Sequence, residues 1–243
     1  MRILIVNDDS VSATQLIPLI KACQAFGQVT TVVPKFEQSG KSHGIELLKP
    51  FEAKQVELEP GLSAWVVNST PADCVRFALF GLRLSFDLCI SGINRGFNMG
   101  TDILYSGTVS AACEAALQNI NALAVSTSRE YYDQAVGHIG QVLSFIFDNR
   151  LFERNRLYNV NIPKQGAEFL FTRQGGPFYS DDYQPVGEDC YQACGKCVYT
   201  DNGDMTLDTN AVMNGYISVT PLITDRTNQA LFQALRNPSG GGL

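Results

Sequence analysis

The apolar positions of the first half fall into short, nearly unbroken runs. They lie at residues 3–6, 29–33, 64–67, 88–90 and 123–125, and β-branched residues are frequent in them. Runs of this kind, bounded by turn residues, read as strands of a parallel sheet covered on both faces. Between them the period changes to that of a helix. Leu16, Ile17, Leu19, Ile20, Cys23 and Phe26 form one stripe that ends at Gly27. Pro18 inside the stripe predicts either a kink or a late helix start, since it cannot donate an intrahelical bond. Further helices are expected at residues 72–82, opened by Thr70-Pro71, at 109–118 and at 131–147. Strand and helix alternating in this way predict an α/β fold built on a doubly wound, mostly parallel sheet.

From about residue 157 the texture changes. Residues 157–162 read as one more strand before Pro163, and then Gly, Tyr, Asp and Gln become frequent. Weak strand signals follow at 169–172, 197–200 and 216–219. They predict a hairpin and loop extension over 164–243, projecting from a core of 1–163 as a surface for self-association. A short helix is expected at 225–235, and a Gly-rich, frayed tail at 237–243.

Composition narrows the function. Of 243 residues, 45% are hydrophobic, enough for a sizeable core. The net charge of −6 argues against coating a nucleic-acid polymer. Two histidines exclude a zinc site built from several His. The chain opens on Met1-Arg2 and a four-residue apolar run, without the pattern of a secretory signal. No run approaches the roughly 18 apolar residues that span a bilayer. A cytoplasmic protein with no membrane partner is therefore expected. Cys23, Cys74, Cys89 and Cys113 stand in apolar contexts and read as small buried hydrophobes. Cys190, Cys194 and Cys197 crowd into eight residues, but no fourth Cys or nearby His completes a zinc set. That favours an irregular Cys-rich loop.

The candidate chemistry sits at strand ends, where open α/β sheets bind their ligands. Asn7-Asp8-Asp9-Ser10 follows the first strand. Two adjacent carboxylates repel each other, and a divalent cation neutralises them. Oxygen donors suit Mg²⁺ or Mn²⁺. An Asp-rich turn with solvated carboxylates is the other reading. The loops after the second strand (Glu37-Gln38-Ser39-Gly40) and the fourth (Ser91-Gly92-Ile93-Asn94) add neutral oxygens and backbone amides. Tyr105-Ser106-Gly107-Thr108 opens a helix, which makes an anion site of free N–H groups, or simple N-capping by Ser106. Gly40-Lys41-Ser42 lacks the first glycine of a phosphate-binding P-loop, since position 35 is Lys35. The even spacing of Gly92, Gly96 and Gly100 is not a dinucleotide fingerprint. His43 and His138 form no Ser-His-Asp pattern, and His138 reads as structural.

These residues together resemble the SurE family of survival-protein nucleotidases over nearly the whole chain. The match is carried by residues 2–9, by Glu37-Gln38-Ser39-Gly40, and by Thr70-Pro71-Ala72-Asp73-Cys74-Val75. Ser91-Gly92-Ile93-Asn94-Arg95-Gly96, Gly100-Thr101-Asp102 and residues 105–109, 159–163 and 215–222 extend it. The resemblance implies a Rossmann-like core and a metal-dependent phosphomonoesterase, a 5′-nucleotidase. Its substrates would be nucleoside 5′-monophosphates, with 3′-monophosphates and short polyphosphate as further ones. It implies one divalent metal ion per subunit, Mg²⁺ or Mn²⁺, held by Asp8, Asp9, Ser39 and Asn94. Asp8 and Asp9 would be catalytic, and Asn98, Ser106, Gly107 and Thr108 would hold the phosphate. It also implies a homodimer or homotetramer joined through the C-terminal extension. One departure stands out. Ser10 replaces the family's Gly, which adds steric cost if that residue needs a positive φ. The departure sets a second expectation, of nucleotide or phosphate binding with weak or lost turnover.

Overall fold

A computed structural model describes residues 1–166 and 168–236. The expected frayed tail at 237–243 lies outside the described residues. The chain runs β1 (Arg2–Val6), α1 (Leu16–Gln24), β2 (Gln28–Pro34), β3 (Ala53–Glu59), β4 (Leu62–Val67) and α2 (Pro71–Arg76). It continues through β5 (Leu88–Arg95), α3 (Gly107–Leu117), β6 (Asn121–Thr127), α4 (Ile139–Asp148) and β7 (Leu157–Ile162). The last third holds β8 (Phe169–Phe171), β9 (Tyr183–Gly187), β10 (Cys190–Ala193), α5 (Asp208–Met213), β11 (Ile217–Pro221) and α6 (Gln229–Arg236).

Nine strands form one sheet in the order β3-β4-β2-β1-β5-β6-β7-β11-β8. The six from β4 to β7 are parallel. This is the doubly wound α/β architecture that the run pattern predicts. β1 is central, and its residues alternate between two cores. Ile3 and Ile5 pack under α1 and α4 with Leu19, Ile20, Val142 and Leu143. Leu4 and Val6 pack under α2 and α3 with Cys74, Val75, Ala111 and Ala115. The small residues of α3 let that helix lie close to the sheet. The strand order reverses between β1 and β5, so the crevice beyond their carboxyl ends is the switch point where such sheets bind ligands.

Several expected elements differ. The helix expected through residue 82 ends at Arg76 and opens into a π-turn over Phe77–Gly81. There the Leu82 N–H bonds to the Phe77 carbonyl. The helix expected from 131 begins at Ile139, because residues before it form turns and a 3₁₀ segment, Ala135–His138. Pro18 lies in the first turn of α1, the late start. Residues 197–200 form no strand, and only a single bridge joins Tyr179 to Cys197. Four elements, β3, β9, β10 and α5, carried no readable signal of their own. β3 is an antiparallel edge strand with mostly exposed side chains, and α5 is short.

The extension is joined to the core by the sheet and by one buried carboxylate. β11 pairs antiparallel with β7 and parallel with β8. Asp208, at the start of α5, is 1% exposed and accepts from three backbone N–H groups: Gly100 at 3.0 Å, Gly175 at 2.8 Å and Thr209 at 2.8 Å. Gly100 belongs to the segment after β5, so Asp208 ties the extension to the loop that carries Asn98. By contrast the β9–β10 hairpin is exposed along its whole length. All seven cysteines are unpaired. Among the described residues, no helix is long and apolar enough to cross a membrane.

Removing the Asp208 carboxylate strands three donors in a dry site. Asp208→Ala is therefore expected to destabilise the fold by about 2–3 kcal/mol, read as a lower midpoint in urea denaturation.

Candidate active site

The end of β1 delivers two carboxylates into the switch-point crevice. Asp8 is 4% exposed, and its Oδ1 accepts from the Thr108 hydroxyl. Its other oxygen faces Gly107 at the first turn of α3. A Cβ at position 107 would lie 3.0 Å from Asp8 Cβ and 3.2 Å from Oδ2, so glycine there lets the carboxylate rest against the helix N-terminus. The positive end of α3 favours negative charge at that point. Asp9 is less buried, and its Oδ2 accepts from the Arg95 N–H at 2.9 Å. Burial pushes the Asp8 carboxyl up, against the pull of the Thr108 hydrogen bond. Burial and then the charge of Asp8 push Asp9 up to about 6.

Neutral oxygens approach from two neighbouring strands. Asn94 is the penultimate residue of β5, and its Nδ2 donates to the Gly96 carbonyl at 2.8 Å. With the amide nitrogen engaged, the side-chain carbonyl is left as the free donor atom. Gly92 makes this strand end possible. It has φ +135°, and a Cβ there would stand 2.2 Å from the Val125 carbonyl oxygen. Ser39 lies in the long loop after β2, and its hydroxyl donates to Glu37 Oε1 at 2.7 Å. The Gln38 N–H bonds to the Asp8 carbonyl at 2.8 Å, which fixes this loop to the end of β1.

Asp8, Ser39, Asn94, Asn98 and Ser106 line one open cavity of about 540 Å³. Asp9, Lys35 and Phe36 line a second of about 600 Å³, and Ser39, Arg95 and Arg129 border both. Six of the eight residues singled out by sequence thus line these two cavities, and Gly107 and Thr108 lie behind Asp8. Thr108 differs in role, because it is wholly buried and its hydroxyl is spent on Asp8. Ser106 caps α3 by accepting from the Val109 N–H at 3.1 Å. The Asn98 side-chain amide gives one hydrogen to Ser126 at 2.8 Å, and Asn159 and Asn161 donate to the Asn98 backbone carbonyl. Glu37 and Arg95 stand in motifs that the sequence reading quotes without a role at the site, and Arg129 is the residue it passes over. Arg129 had no local signal, since it follows β6 as one exposed Arg among polar neighbours.

Two carboxylates with a hydroxyl and an amide carbonyl make an all-oxygen donor set, which fits a hard divalent cation and not a thiophilic one. Among the described residues no cluster of three or more His, Cys, Asp or Glu is placed to hold a metal. The set here therefore depends on the two neutral oxygens. The raised carboxyls supply a physical reason for a cation: two buried like charges side by side are costly until one is supplied.

The chain is similar to known proteins over nearly its whole length. The family described as "Survival protein SurE" matches residues 3–181. A protein named 5′-nucleotidase SurE from Thermoanaerobacter sp. (strain X514) is 39% identical, over 98% of this chain and 98% of its own length. Another of that name, from Synechococcus sp. (strain JA-3-3Ab), is 38% identical over 97% and 96% of the two chains. The crystal structure of the SurE protein from Aquifex aeolicus superposes with a TM-score of 0.79 at 30% identity, covering 98% of this chain and 100% of that one. With a match of this extent, the chain belongs to the SurE family.

Proposed function

We propose that this protein is a divalent-metal-dependent 5′-nucleotidase that hydrolyses nucleoside monophosphates to nucleoside and phosphate. The observation that supports the reading is that Asp8, Ser39 and Asn94 line one cavity at the switch point and Asp9 lines the adjoining one, which shares Ser39, beside the N-terminus of α3. The relatives named 5′-nucleotidase SurE support the same reading. Further substrates are nucleoside 3′-monophosphates and short polyphosphate. The seven unpaired thiols support a reducing, cytoplasmic setting. A homodimer or homotetramer is supported by the exposed β9–β10 hairpin and by α6, which leaves Leu231, Phe232 and Leu235 uncovered.

One Mg²⁺ or Mn²⁺ bound by Asp8, Asp9, Ser39 and Asn94 would supply Lewis acidity and a lowered water pKa. The protein's own groups do the rest. The Gly107 N–H, with the Ser106 and Asn98 side chains, holds phosphate oxygens, while Thr108 is committed to Asp8. Arg95 and Arg129 add local positive charge at the border of both cavities. Asp8 orients the attacking water and takes its proton, with Thr108 fixing the carboxylate plane.

The second reading, binding without turnover, rests on Ser10. Ser10 has φ +75°, the left-handed conformation that a glycine adopts freely. The turn is therefore kept despite the Cβ. Ser10 Oγ accepts from the Ser12 N–H at 3.2 Å, and Asn7 Nδ2 donates to the Ser10 carbonyl at 2.9 Å, which offsets part of the strain of about 1 kcal/mol. This favours the enzyme reading.

Three outcomes are expected. A panel of nucleoside monophosphates assayed with Mg²⁺ or Mn²⁺ should release phosphate, and Asp9→Asn should reduce turnover by about a hundredfold or more. Retained metal-dependent activity in that variant would reject the site. Ser10→Gly should change kcat/KM by no more than about threefold; a large gain would instead mark the natural chain as an impaired enzyme. The third outcome concerns stability in chelator. The folded-state pKa of Asp9 lies above its unfolded value, so its contribution is fully present below about pH 4 and is lost as pH rises through about 6. The melting temperature of metal-free protein should fall across that window, and Asp9→Asn should flatten the fall.

A further inference from the structure

Ser39 is the one candidate metal ligand outside the ends of β1 and β5. It sits in the loop of residues 35–52, which contains no helix or strand. A ligand on such a loop is useful only if something holds it in place. The residues just after it are fastened at two points to the segment that leads into α3 and to α3 itself. Ser42 donates its N–H to the Tyr105 carbonyl at 3.0 Å and its hydroxyl to the Leu104 carbonyl at 2.7 Å. His43 Nε2 lies 2.9 Å from Glu114 Oε2, two turns along α3 from Ser106. Gly40 and Ser42 both take positive φ, +70° and +53°, so the loop turns sharply between Ser39 and His43. A serine in that conformation persists when its surroundings over-determine it.

Glu114 is built as an anchor. Its side chain is 6% exposed, and Arg76 of α2 reaches Oε1 at 3.2 Å while Gln118 reaches the same oxygen at 3.3 Å. Burial would raise this carboxyl, but the hydrogen bonds from His43 and Arg76 outweigh burial and hold it low. The remaining charged group in the cavity that His43 lines is Arg226. That cavity is a different one from the two that hold the candidate ligands, so His43 itself touches neither metal ligand nor phosphate site.

We propose that His43 is a positioning residue for the metal site, locking the Ser39 loop to α3 through Glu114. The proposal rests on the reading of Ser39 as a metal ligand. α3 then holds two ligands at once. Thr108 in its first turn fixes Asp8, and Glu114 further along fixes the loop of Ser39. Ser39 is thus held on both sides: the Gln38 N–H ties the loop to the Asp8 carbonyl before it, and the Glu114 latch on α3 ties the loop after it.

The test uses the full-length protein, with Mn²⁺ binding measured by calorimetry and amide exchange measured in chelator. His43→Ala should speed exchange at Ser42 and Gln38, weaken Mn²⁺ binding about tenfold, and leave kcat at saturating Mn²⁺ within about twofold. His43→Gln, which keeps a donor at similar reach, should recover most of the affinity. Ser39→Ala should weaken Mn²⁺ binding too, and adding His43→Ala to it should cost nothing more. Unchanged affinity in a folded His43→Ala protein, or full additivity in the double variant, overturns the proposal. If His43→Ala does not fold, Glu114→Gln and His43→Gln carry the same comparison. Natural-sequence protein that binds no Mn²⁺ rejects the metal reading and the positioning role with it. Slow exchange at Ser42 that His43→Ala leaves unchanged rejects the latch alone.

Discussion

Two carboxylates forced side by side at the end of a buried strand are the constraint around which this protein is arranged. Asp8 and Asp9 are chain neighbours in the bend just beyond β1, and the Thr108 hydroxyl and the Arg95 N–H hold their carboxylates in place. Their repulsion and their burial act in the same direction, against ionisation. The surrounding groups reduce that cost without removing it. Thr108 and the N-terminus of α3 meet Asp8, and the Arg95 N–H meets Asp9. The remaining imbalance is what makes the site receptive to a divalent cation. Stability elsewhere in the domain has to carry a locally unfavourable pair, as is usual where a site is preorganised.

The fold supplies both the strain and its support. β1 is the middle strand of a doubly covered sheet, and its four core residues are fully buried. A chain end fixed that firmly sets its next residues to within a narrow range of positions. The reversal of strand order between β1 and β5 then opens a crevice at that place. Asn94 arrives on β5 because Gly92 allows the strand to pass against the Val125 carbonyl. Asn98 is fixed by a set of asparagine hydrogen bonds from β7, and its loop is held from the other side by Asp208. The extension therefore shares in shaping the site as well as exposing a surface.

Legibility in the sequence followed burial. The strands buried on both faces stood out as continuous apolar runs, and their ends located Asp8, Asp9 and Asn94. β3 did not stand out, because an exposed edge strand such as Lys54-Gln55-Val56-Glu57 carries little apolar signal. The helix at 131–147 was overextended because Tyr131 and Tyr132 pack as turn residues and mimic a helical stripe. Single polar residues whose meaning is a distant partner were invisible: Asp208 contacts Gly100 across 108 positions, and Glu114 contacts His43 across 71. The same limit applies to Thr108. Its place in a Ser-Gly-Thr turn suggested phosphate, and only the packing of α3 on β1 directs it to a carboxylate instead.

The overall charge of −6 now separates two scales of electrostatics. At long range the acidic chain disfavours a polyanion that must lie across its surface, since many phosphates would meet that field together. At short range the sign is set by what lines the crevice. Lys35, Arg95 and Arg129 border the cavities beside the aspartates, and a bound cation would add two more positive charges within contact distance. A single phosphate ester is small enough to sit wholly inside that local region. Screening in cellular salt removes most of the distant repulsion, because the Debye length is about 8 Å. Size, then, and not charge alone, is what the electrostatics of this protein select: a small monoester can exchange an unfavourable outer field for a favourable inner one, and a polymer cannot.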